Sequence, residues 1–345
     1  MNTPLKGVCV GAGYFSRFQY ESWQRIPEVT IVANCNRSVD KAEEIAKDYG
    51  IPRSYPVTEF AKMLDREEPD FVDIITPPDT HLELCRIAVE KGVHIICQKP
   101  LAPTWDETLE LAELIKSAKG RFMVHENFRW QPWYREIKKI LDAGTLGEFF
   151  HLAFRCRMGD GWGDDAYLAR QPFFRDYKRL FLFETGVHFL DTFRYLAGEI
   201  DSIHALIARR NPVIKGEDSA LVTCRFANCG TAVLDANRYN EVEAENPRYT
   251  FGTLRIDGSK GHLEMDLDGG ITIKPLGEPS YEHIYKPSRE NFAGDCVHAL
   301  QEHFVACMLS GDPFESTVED YLKSVQLVEA AYESAATDQV VKTQA

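Results

Sequence analysis

Three features that this sequence lacks narrow what the protein can be. Its nine cysteines form no C-x-x-C pair, which favours free, mostly buried thiols in a reducing compartment. No apolar run approaches the roughly 20 residues of a membrane helix, and the N-terminal residues enter a strand directly, so no secretory leader is expected. Basic residues number 39 against 53 acidic ones, a formal charge of −14. We therefore expect a cytoplasmic protein that binds neither nucleic acid nor a membrane surface.

Strand and helix patterns alternate over about the first 125 residues. Strands joined by helices of 10–15 residues indicate right-handed crossovers and a doubly wound parallel sheet, the Rossmann arrangement. Thr104 followed by Glu107 is typical of a capping box at a helix start. The predicted strands span 5–11, 29–35, 71–78, 93–98 and 121–126, and the predicted helices lie at 15–25, 39–50, 80–92 and 104–120.

The pattern changes after about residue 125, where strand-like runs follow one another without intervening helices. Such succession is typical of an antiparallel sheet. The sequence therefore predicts an α/β chain with a Rossmann domain at 1–125 and an α+β domain at 126–345, whose last helices could pack back on the first domain. Strands are expected at 147–158, 200–209, 218–226, 230–238, 249–257, 261–266, 270–275 and 281–286, helices at 132–143, 184–198, 291–309 and 317–336, and a frayed end over the last nine residues.

A glycine-rich turn directly follows the first predicted strand. Gly11 and Gly13, with Ser16 where a third glycine is usual, match the turn that brings backbone close to a dinucleotide pyrophosphate at a helix N-terminus. Tyr14 and Phe15 lie within the same turn. The alternative is a structural turn without a ligand, but the alternating strand–helix context favours a nucleotide.

The end of the second strand bears on the choice of cofactor. NAD-binding folds usually place Asp or Glu there for the ribose 2′-hydroxyl, whereas this chain has Asn36 followed by Arg37. A neutral residue beside a cation permits the 2′-phosphate of NADP, while Asn36 can also hydrogen-bond a ribose hydroxyl. Both NAD and NADP stay open on this argument, and Arg37 could equally be a solvated arginine.

The predicted helix at 184–197 carries a stripe of titratable side chains. Glu184, His188 and Asp191 are spaced i, i+4, i+7 and share one helix face. A carboxylate, an imidazole and a second carboxylate suit a general base with an orienting acid. The alternative is a polar face turned to water, and clustering of the three groups favours a functional site.

Lys99 stands where the fourth predicted strand ends. Ligands of doubly wound sheets bind at the carboxyl ends of the strands, and Pro100 biases the preceding residue toward an extended conformation. A cation there can stabilise the alkoxide that develops as hydride leaves a substrate hydroxyl. The alternative is an exposed lysine that merely follows a strand.

Several of these motifs together resemble one family. "ITPPDTHLEL", "GVHIICQKPLAPT" and "ETGVHFLD", with the glycine turn, are similar to the Gfo/Idh/MocA oxidoreductases over about residues 5–335. The resemblance implies a nicotinamide cofactor and a sugar, cyclitol or other small-molecule substrate. It implies that Thr76, Pro77 and Pro78 line the nicotinamide ribose site with His81 close by.

The resemblance also assigns the residues of the chemistry. Lys99 matches the catalytic lysine of a Glu-Lys-Pro motif in which Gln98 here replaces glutamate, the side chain that helps hold the cofactor. Glu184 and His188 match a pair that meets the substrate. Asn127 and Arg129 follow the last parallel strand and are expected to reach the same cleft or to brace the domain junction.

The loop at 155–179 alternates charged and aromatic residues. Such a loop suits a polyol, which needs donors, acceptors and a flat face, and Trp162 and Arg170 are the candidate contacts. The alternative is a charge-balanced surface loop. Together with Gln98-Lys99-Pro100, "GDGWGDDAYLARQPFFRD" is similar to a pentose-oxidising branch of the family that acts on the branched sugar D-apiose with NAD.

We therefore expect an NAD(P)-dependent dehydrogenase that oxidises the anomeric carbon of an aldopentose to a lactone. His188 would take the hydroxyl proton, assisted by Lys99, and Glu184 would orient His188 or bind a neighbouring hydroxyl. The alternatives are an inositol or polyol dehydrogenase and a non-catalytic sensor of NAD(P) or sugar. No metal cluster stands out in the sequence. An exposed sheet face predicts a homodimer or homotetramer.

Overall fold

The computed structural model describes residues 3–343, which form two compact units. Unit 1 comprises residues 3–127 and 297–322, and unit 2 comprises residues 128–296 and 323–343. The expected boundary at 125 lies two residues before the observed one. The segment 297–322 was expected within the second domain, with packing against the first left open, and the structure assigns it to unit 1.

Unit 1 contains a six-stranded parallel sheet in the order β3-β2-β1-β4-β5-β6. This is the Rossmann order, in which the strand sequence reverses between β1 and β4. Residues 51–70 had no predicted element, because a three-residue strand and an eight-residue helix are too short to show a clear period. The elements are β1 Leu5–Val10, α1 Ser16–Arg25, β2 Val29–Asn36, α2 Val39–Asp48, β3 Ser54–Pro56, α3 Phe60–Glu67, β4 Phe71–Ile74, α4 His81–Lys91, β5 His94–Gln98, α5 Trp105–Lys116 and β6 Phe122–His125.

Unit 2 contains a nine-stranded mixed sheet in the order β14-β13-β12-β11-β7-β10-β9-β8-β15. The sheet was predicted as mainly antiparallel, which is confirmed, and β7 and β10 form its parallel pair at the centre. Its first elements are α6 Pro132–Asp142, β7 Phe149–Arg157, α7 Val187–Ala197, β8 Ile200–Ala208, β9 Ser219–Phe226, β10 Thr231–Asn237, β11 Gly252–Gly258, β12 Gly261–Met265, β13 Ile271–Pro275 and β14 Tyr281–His283.

The C-terminal segment completes both units with α8 Cys296–Ser310, α9 Val318–Thr337 and β15 Val341–Lys342. In unit 1, Phe304 of α8 packs its ring against Phe71 and Trp23 at centroid distances of 5.2 and 6.2 Å. Burial of these aromatic rings explains why α8 belongs to unit 1, although it lies far along the sequence from the other helices and strands of that unit.

The chain end is more ordered than the sequence predicts. Val341 and Lys342 pair with Ile203 and Ser202 at the edge of β8. The expectation of nine frayed residues is therefore wrong for the described part of that segment, because backbone pairing with an edge strand satisfies its polar groups. Residues 344 and 345 lie outside the described residues.

Candidate active site

The glycine turn in unit 1 is shaped by close approach of two backbone segments. Gly11 has φ +125°, and a Cβ atom there would lie 2.9 Å from the carbonyl carbon of Ile75, so only glycine fits. A Cβ at Gly13 would meet nothing within 4 Å, which leaves open space above the turn. Ser16 begins α1 and donates its hydroxyl to the Gly13 carbonyl at 2.7 Å. The turn thus presents a helix N-terminus beside open space, as a pyrophosphate requires.

The next two residues of the turn carry aromatic rings. Tyr14 is 40% exposed, and its ring meets Phe18 edge-on at 5.8 Å. Phe15 lies 5.4 Å from the same Phe18 ring. The pair therefore forms an apolar ridge beside Gly13, where the sequence predicts cofactor contact.

The carboxyl ends of three strands lie side by side. Val10 of β1 pairs with Ile74 of β4, and Ile74 pairs with Cys97 of β5. The glycine turn, Thr76 and Lys99 each follow one of these ends by one or two residues, so the register brings all three to the same edge of the sheet. This edge, at the reversal of strand order, is where ligands of such sheets bind.

His81 joins the two loops that follow β4 and β5. Its side chain is fully buried, with Nε2 2.8 Å from the Thr76 carbonyl and Nδ1 3.2 Å from the Leu101 carbonyl. Burial lowers the pKa of the imidazole. Thr80 also donates to the Pro77 carbonyl at 2.8 Å. These contacts brace His81 against the Thr76 and Leu101 backbone, and its predicted place among the cofactor-binding residues stays a prediction.

The end of β2 shows how Asn36 is placed. Its side-chain amide donates to the Ser38 carbonyl at 3.1 Å, which holds the turn into α2. Arg37 is exposed. Since β2 lies next to β1, both residues follow the same edge as the glycine turn, where an adenosine ribose would lie in a Rossmann domain.

Gln98 belongs to a buried chain of side-chain amides. Its Nε2 donates to Oε1 of Gln19 at 2.9 Å and lies 3.2 Å from Nδ1 of His125. Gln19 in turn donates through Nε2 to both carboxylate oxygens of Asp73 at 2.9 and 3.0 Å. Oε1 of Gln98 accepts the backbone N–H of Lys99 at 3.3 Å. Hydrogen bonds therefore run without a break from the backbone of Lys99 to a carboxylate in β4.

Asp73 is the charged end of this chain. It is fully buried, and Trp23 also donates its indole N–H to it at 2.8 Å. Burial raises the pKa of Asp73 to about 7, although the N–H groups of Trp23 and Gln19 lower it. Desolvation thus outweighs the hydrogen bonds in setting this pKa.

Lys99 follows Gln98 at the open edge of the sheet. It is partly buried, and its peptide bond to Pro100 is cis. Leu101 and Ala102 behind it are buried at 1% and 2% exposure, so the backbone on both sides of the lysine is anchored. Asn127 is also buried and lies two residues past β6, whose last residue His125 pairs with Gln98.

In unit 2, Glu184 lies in a π-helical turn, Phe181–Gly186, that precedes α7. The predicted helix start at 184 is wrong by three residues. The carboxylate of Glu217 accepts the backbone N–H groups of Leu180 and Leu182 at 3.2 and 3.0 Å. These outside hydrogen bonds accompany the wider turn, which also breaks the regular spacing that would place Glu184 and Asp191 on one face.

Arg238 fixes Glu184 from the end of β10. The guanidinium is fully buried and pairs with both carboxylate oxygens of Asp160 at 3.1 and 2.6 Å. It also lies 3.4 Å from Glu184, whose same oxygen accepts the hydroxyl of Thr185 at 2.6 Å. Arg238 lowers the pKa of Asp160 despite the burial of that carboxylate. Glu184 is therefore held in place by a cation and a hydroxyl.

His188, on the first turn of α7, stacks on an aromatic ring. The imidazole and the ring of Phe128 are parallel within 4°, with centroids 3.9 Å apart. His188 is 5% exposed. The stack therefore fixes the plane of the imidazole.

Asp191 and Arg129 pair with each other. Arg129 donates through Nε and a terminal nitrogen at 2.8 and 2.6 Å, and Ser324 adds a hydroxyl at 2.9 Å. Both charged residues are buried. Asp191 is therefore directed to Arg129 rather than to the predicted acid–base stripe. The ion pair fits the bracing alternative for Arg129, whose contact with substrate stays a prediction.

Part of the loop at 158–180 is held by hydrogen bonds within the protein, so the loop is not exposed to solvent along its whole length. Arg170 donates to Asp160 at 2.9 Å, which ties it to the Arg238 cluster and so indirectly to Glu184. Trp162 instead is 54% exposed and donates to Glu241 at 3.0 Å. The structure thus brings Arg170 and Glu184 into one network and places Trp162 outside it.

Sequence reasoning missed four residues, two in each unit. Arg238 gave no signal, because a lone arginine at the end of a strand usually lies in solvent. Gln19 and Asp73 lie 54 positions apart, and only the fold joins them. Phe128 stands next to the noted Asn127 and Arg129, but an aromatic residue there is ordinarily part of a core.

Residues 3–343 contain no group of three or more His, Cys, Asp or Glu side chains arranged to hold a metal ion. Over the same range, no helix is both long and apolar enough to cross a bilayer.

The open glycine turn and the aligned strand ends fit a dinucleotide cofactor. Its pyrophosphate would lie at Gly11 and Gly13, and its nicotinamide would lie toward Thr76 and Gln98.

Fold and site define an NAD-dependent oxidoreductase with a Rossmann unit and a second α/β unit. Residues 5–126 match the model of the GFO/IDH/MocA oxidoreductase family, NAD-binding Rossmann fold, and residues 134–264 match the family's C-terminal domain. The chain belongs to the GFO/IDH/MocA family. Its members among the relatives below include dehydrogenases of sugars and polyols, which confirms the predicted family, fold and enzyme class.

Three relatives show the breadth of the similarity. D-apiose dehydrogenase of Rhizobium rhizogenes is 31% identical, covering 98% of this chain and 97% of its own. Inositol 2-dehydrogenase 4 of Saccharopolyspora erythraea is 32% identical, covering 85% of each chain. The crystal structure of an oxidoreductase from Agrobacterium radiobacter, in complex with NAD+, L-tartaric acid and magnesium, is 29% identical with a TM-score of 0.91 over 99% of this chain and 98% of that one.

Proposed function

We propose that this protein is an NAD-dependent sugar 1-dehydrogenase that oxidises the anomeric carbon of an aldopentose, such as D-apiose, to a lactone. The observation that carries the proposal is the alignment of the glycine turn, Thr76 and Lys99 along one edge of the parallel sheet. The similarity to a D-apiose dehydrogenase extends over nearly all of both chains, which supports the choice of sugar.

Lys99 is proposed to lower the pKa of the substrate hydroxyl and to stabilise the negative charge that develops on its oxygen. An ammonium group at a partly buried strand end is more effective in this role than one in bulk water. The bound nicotinamide supplies the hydride acceptor. The protein supplies alignment and charge.

His188 is proposed to take the hydroxyl proton, and Glu184 to accept hydrogen bonds from neighbouring hydroxyls. The stack on Phe128 supports the first role, because a general base must keep its ring oriented toward one proton. The contact with Arg238 supports the second, because a nearby cation favours the ionised carboxylate, which accepts hydrogen bonds and donates none.

We propose NAD rather than NADP as the preferred cofactor. Asn36 can accept or donate a hydrogen bond to a ribose hydroxyl, and the exposed Arg37 is followed by the neutral Ser38 rather than by a second cation that could share a phosphate. The ratio of kcat/KM for the two cofactors tests this directly. A preference for NADP that disappears in Arg37→Ala would overturn the assignment.

The decisive experiment follows absorbance at 340 nm with purified protein, either cofactor and a panel of aldoses, inositols and polyols. A signal with D-apiose or another aldopentose and NAD is the expected result. A signal confined to inositols would favour inositol oxidation, the second candidate, which the 32% identity to an inositol 2-dehydrogenase supports. Tight cofactor binding without turnover of any substrate would favour a sensor.

We also propose that the protein forms a homodimer or homotetramer through the open face of the nine-stranded sheet. Side chains along β9 and β11 alternate between buried and exposed. On the exposed face, Leu206 and Leu221 pair across two strands at 51% and 43% exposure. Arg157 and Asp235 form an ion pair on the same sheet at 2.8 Å. A second copy bringing the same face would bury both features.

Light scattering at micromolar concentration tests this assembly. We expect a dimer or tetramer mass for the protein and a smaller mass for Leu221→Arg. A monomer mass for the unmodified protein would contradict the proposal.

We also place the protein in the cytoplasm, since all nine cysteines are free and eight of them are buried, as in a reducing compartment. Cell fractionation tests that location.

A further inference from the structure

We propose that the buried amide chain from Asp73 through Gln19 to Gln98 positions Lys99, and that Asp73 determines why residue 98 is glutamine. The inference rests on the proposed function of Lys99. It adds three positioning residues, none of which touches the reacting atoms, and it assigns glutamine at this position a specific purpose.

The direction of the hydrogen bonds carries the argument. Both carboxylate oxygens of Asp73 accept N–H groups, from Gln19 and from Trp23, so Asp73 turns the amide nitrogen of Gln19 toward itself. The oxygen of Gln19 then faces away and needs a donor, which Nε2 of Gln98 provides at 2.9 Å. The oxygen of Gln98 is thereby turned to the backbone N–H of Lys99 at 3.3 Å.

All three polar side chains are at most 7% exposed, so water cannot readily replace a lost partner. Each amide in the chain has one orientation that satisfies both neighbours, and reversing one reverses the next. A buried donor facing a donor, or an acceptor facing an acceptor, costs about 1–3 kcal/mol. The carboxylate of Asp73 therefore fixes the orientation of the Gln98 amide, to which it is linked through Gln19.

A glutamate at position 98 does not fit this arrangement. Its carboxylate oxygens cannot donate to the Gln19 oxygen that Gln98 now faces at 2.9 Å. If Gln19 turned to meet the new carboxylate, its own oxygen would face Asp73. The chain thus holds one buried carboxylate, on β4, in place of one at the end of β5.

Two single substitutions should break the chain at opposite ends. Gln98→Glu puts an acceptor against the Gln19 oxygen. Asp73→Asn keeps the Trp23 contact through its oxygen and puts an N–H where Oδ1 accepts from Gln19 at 2.9 Å. A donor then faces a donor unless both glutamines turn, which brings the Gln98 nitrogen against the Lys99 N–H. Each should lower kcat by ~10², since a misplacement of about 1 Å at a reacting group costs that much.

The double variant Asp73→Asn/Gln98→Glu should restore the chain in reverse. The introduced amide donates to the Gln19 oxygen, and the Gln19 nitrogen donates to the introduced carboxylate, whose other oxygen still accepts the Lys99 N–H. We expect kcat to recover to within roughly fivefold of the unmodified protein, because every buried group again has a partner. Effects of the two substitutions that simply multiply would overturn the proposal.

Two controls separate positioning from general damage. Glu67→Gln makes the same carboxylate-to-amide change at a buried group of unit 1, where Tyr55 and Arg53 are the partners. It should not alter kcat. Gln98→Met removes the chain without adding charge, should lower kcat by ~10² on the same alignment argument, and should not be rescued by Asp73→Asn. It also replaces Gln98→Glu if that variant fails to fold.

A measurement without substrate distinguishes this proposal from the proposed function. Trace acetylation of Lys99 with acetic anhydride, followed by peptide mass spectrometry over a pH series, reports the reactivity of its amine in the cofactor-loaded and cofactor-free protein. Both singles should change the pH profile of Lys99, and the double variant should restore it. If no substrate is turned over, the proposed function fails while this profile still decides the positioning role.

The remaining outcome is also informative. If thermal unfolding shows coupling between positions 73 and 98 but the Lys99 profile and kcat follow neither single nor double substitution, the chain is a structural core element only, and the positioning proposal is overturned.

Discussion

The two units place their functional side chains by different physical means. In unit 1 a chain of neutral amides leads from the Lys99 backbone to one buried carboxylate. In unit 2 a buried cation, Arg238, lies between the carboxylates of Asp160 and Glu184. Amide chains fix orientation, because each link has a donor end and an acceptor end. Ion pairs fix charge, because a buried guanidinium requires compensating carboxylates.

This contrast predicts what each unit will tolerate. In unit 1, a volume-conserving change that reverses an amide should alter the orientation of its neighbours while the unit stays folded. In unit 2, removal of one charge should lower the stability. Variants of unit 1 should therefore change mainly the turnover, and variants of unit 2 mainly the free energy of unfolding.

The largest expected effect is on turnover in unit 1. Lys99→Ala should lower kcat by ~10²–10⁴, the usual range for a group that assists proton transfer, without a comparable change in melting temperature. Steady-state kinetics with the sugar identified at 340 nm measures it. Lys91→Ala, which removes an exposed lysine paired with Asp65, is the matched control and should leave kcat unchanged. A near-normal kcat in Lys99→Ala would contradict the assigned role.

The next effect is on stability in unit 2. Arg238→Met should lower the free energy of unfolding by about 3–5 kcal/mol, because it removes the buried cation that pairs with both oxygens of Asp160 and leaves that carboxylate only Arg170. Arg255→Met, which breaks the exposed pair with Glu264, should cost about 0–1 kcal/mol. Denaturant titration of both variants measures the difference. Equal losses of unfolding free energy in the two variants would show that the buried pair of Arg238 stabilises the protein no more than an exposed ion pair does.

A smaller effect concerns pH and the carboxylate of unit 1. The folded-state pKa of Asp73 is raised to about 7 above an unfolded value of about 3.9. The folded protein therefore holds a proton that the unfolded chain has released, and the contribution of Asp73 to stability is full below about pH 4 and lost as pH rises through 7. The surrounding groups Cys9, Tyr20 and Cys97 all have raised pKa values and stay neutral there.

Asp73→Asn should remove this loss, so that the variant gains stability relative to the unmodified protein between pH 5 and pH 8. Chemical unfolding across that pH range measures it. Trp23→Phe should move the loss to higher pH, since the indole N–H lowers the pKa of Asp73. If the free energy of unfolding changed with pH in the same way in all three proteins, the loss of stability could not be assigned to Asp73.

The smallest effect tests the stacked imidazole. Phe128→Leu keeps an apolar side chain but removes the parallel ring 3.9 Å from His188. We expect kcat to fall by ~10, the equivalent of about 1.4 kcal/mol and near the upper range for an aromatic pair. The KM for sugar should change little. Phe251→Leu, which removes another ring next to Phe128 at 4.9 Å, serves as the control for packing.

The sequence predicted the parts of the molecule that depend on local pattern. Strand ends, the glycine turn and the start of α5 follow from short-range rules, and Thr104 indeed accepts the backbone N–H of Glu107 at 3.3 Å. Lys99 and Gln98 could be singled out because Gln98 ends a recognisable strand and Lys99 follows it. The family, fold and enzyme class could be inferred from motifs in one pass.

Features that depend on distant residues were not predictable in this way. The π-helical turn before α7 is accompanied by hydrogen bonds from Glu217, more than 30 residues further on. Arg238 reaches Glu184 and Asp160 across 54 and 78 positions. The i, i+4, i+7 spacing of Glu184, His188 and Asp191 suggested one acid–base stripe, while long-range partners divided it into three separate contacts.

The short strand β15 has a practical consequence for handling the protein. It covers the edge of β8, and Ser334 ties the segment down through the Gln339 carbonyl at 2.6 Å and the Ala205 N–H at 3.0 Å. A truncation before Val341 would leave the backbone of Ser202 and Ile203 unpaired at the edge of β8, and unpaired edge groups are a template for adhesion between molecules. Purification tags are therefore better fused after a spacer than in place of these residues, and shortened versions should be checked first for precipitation on storage.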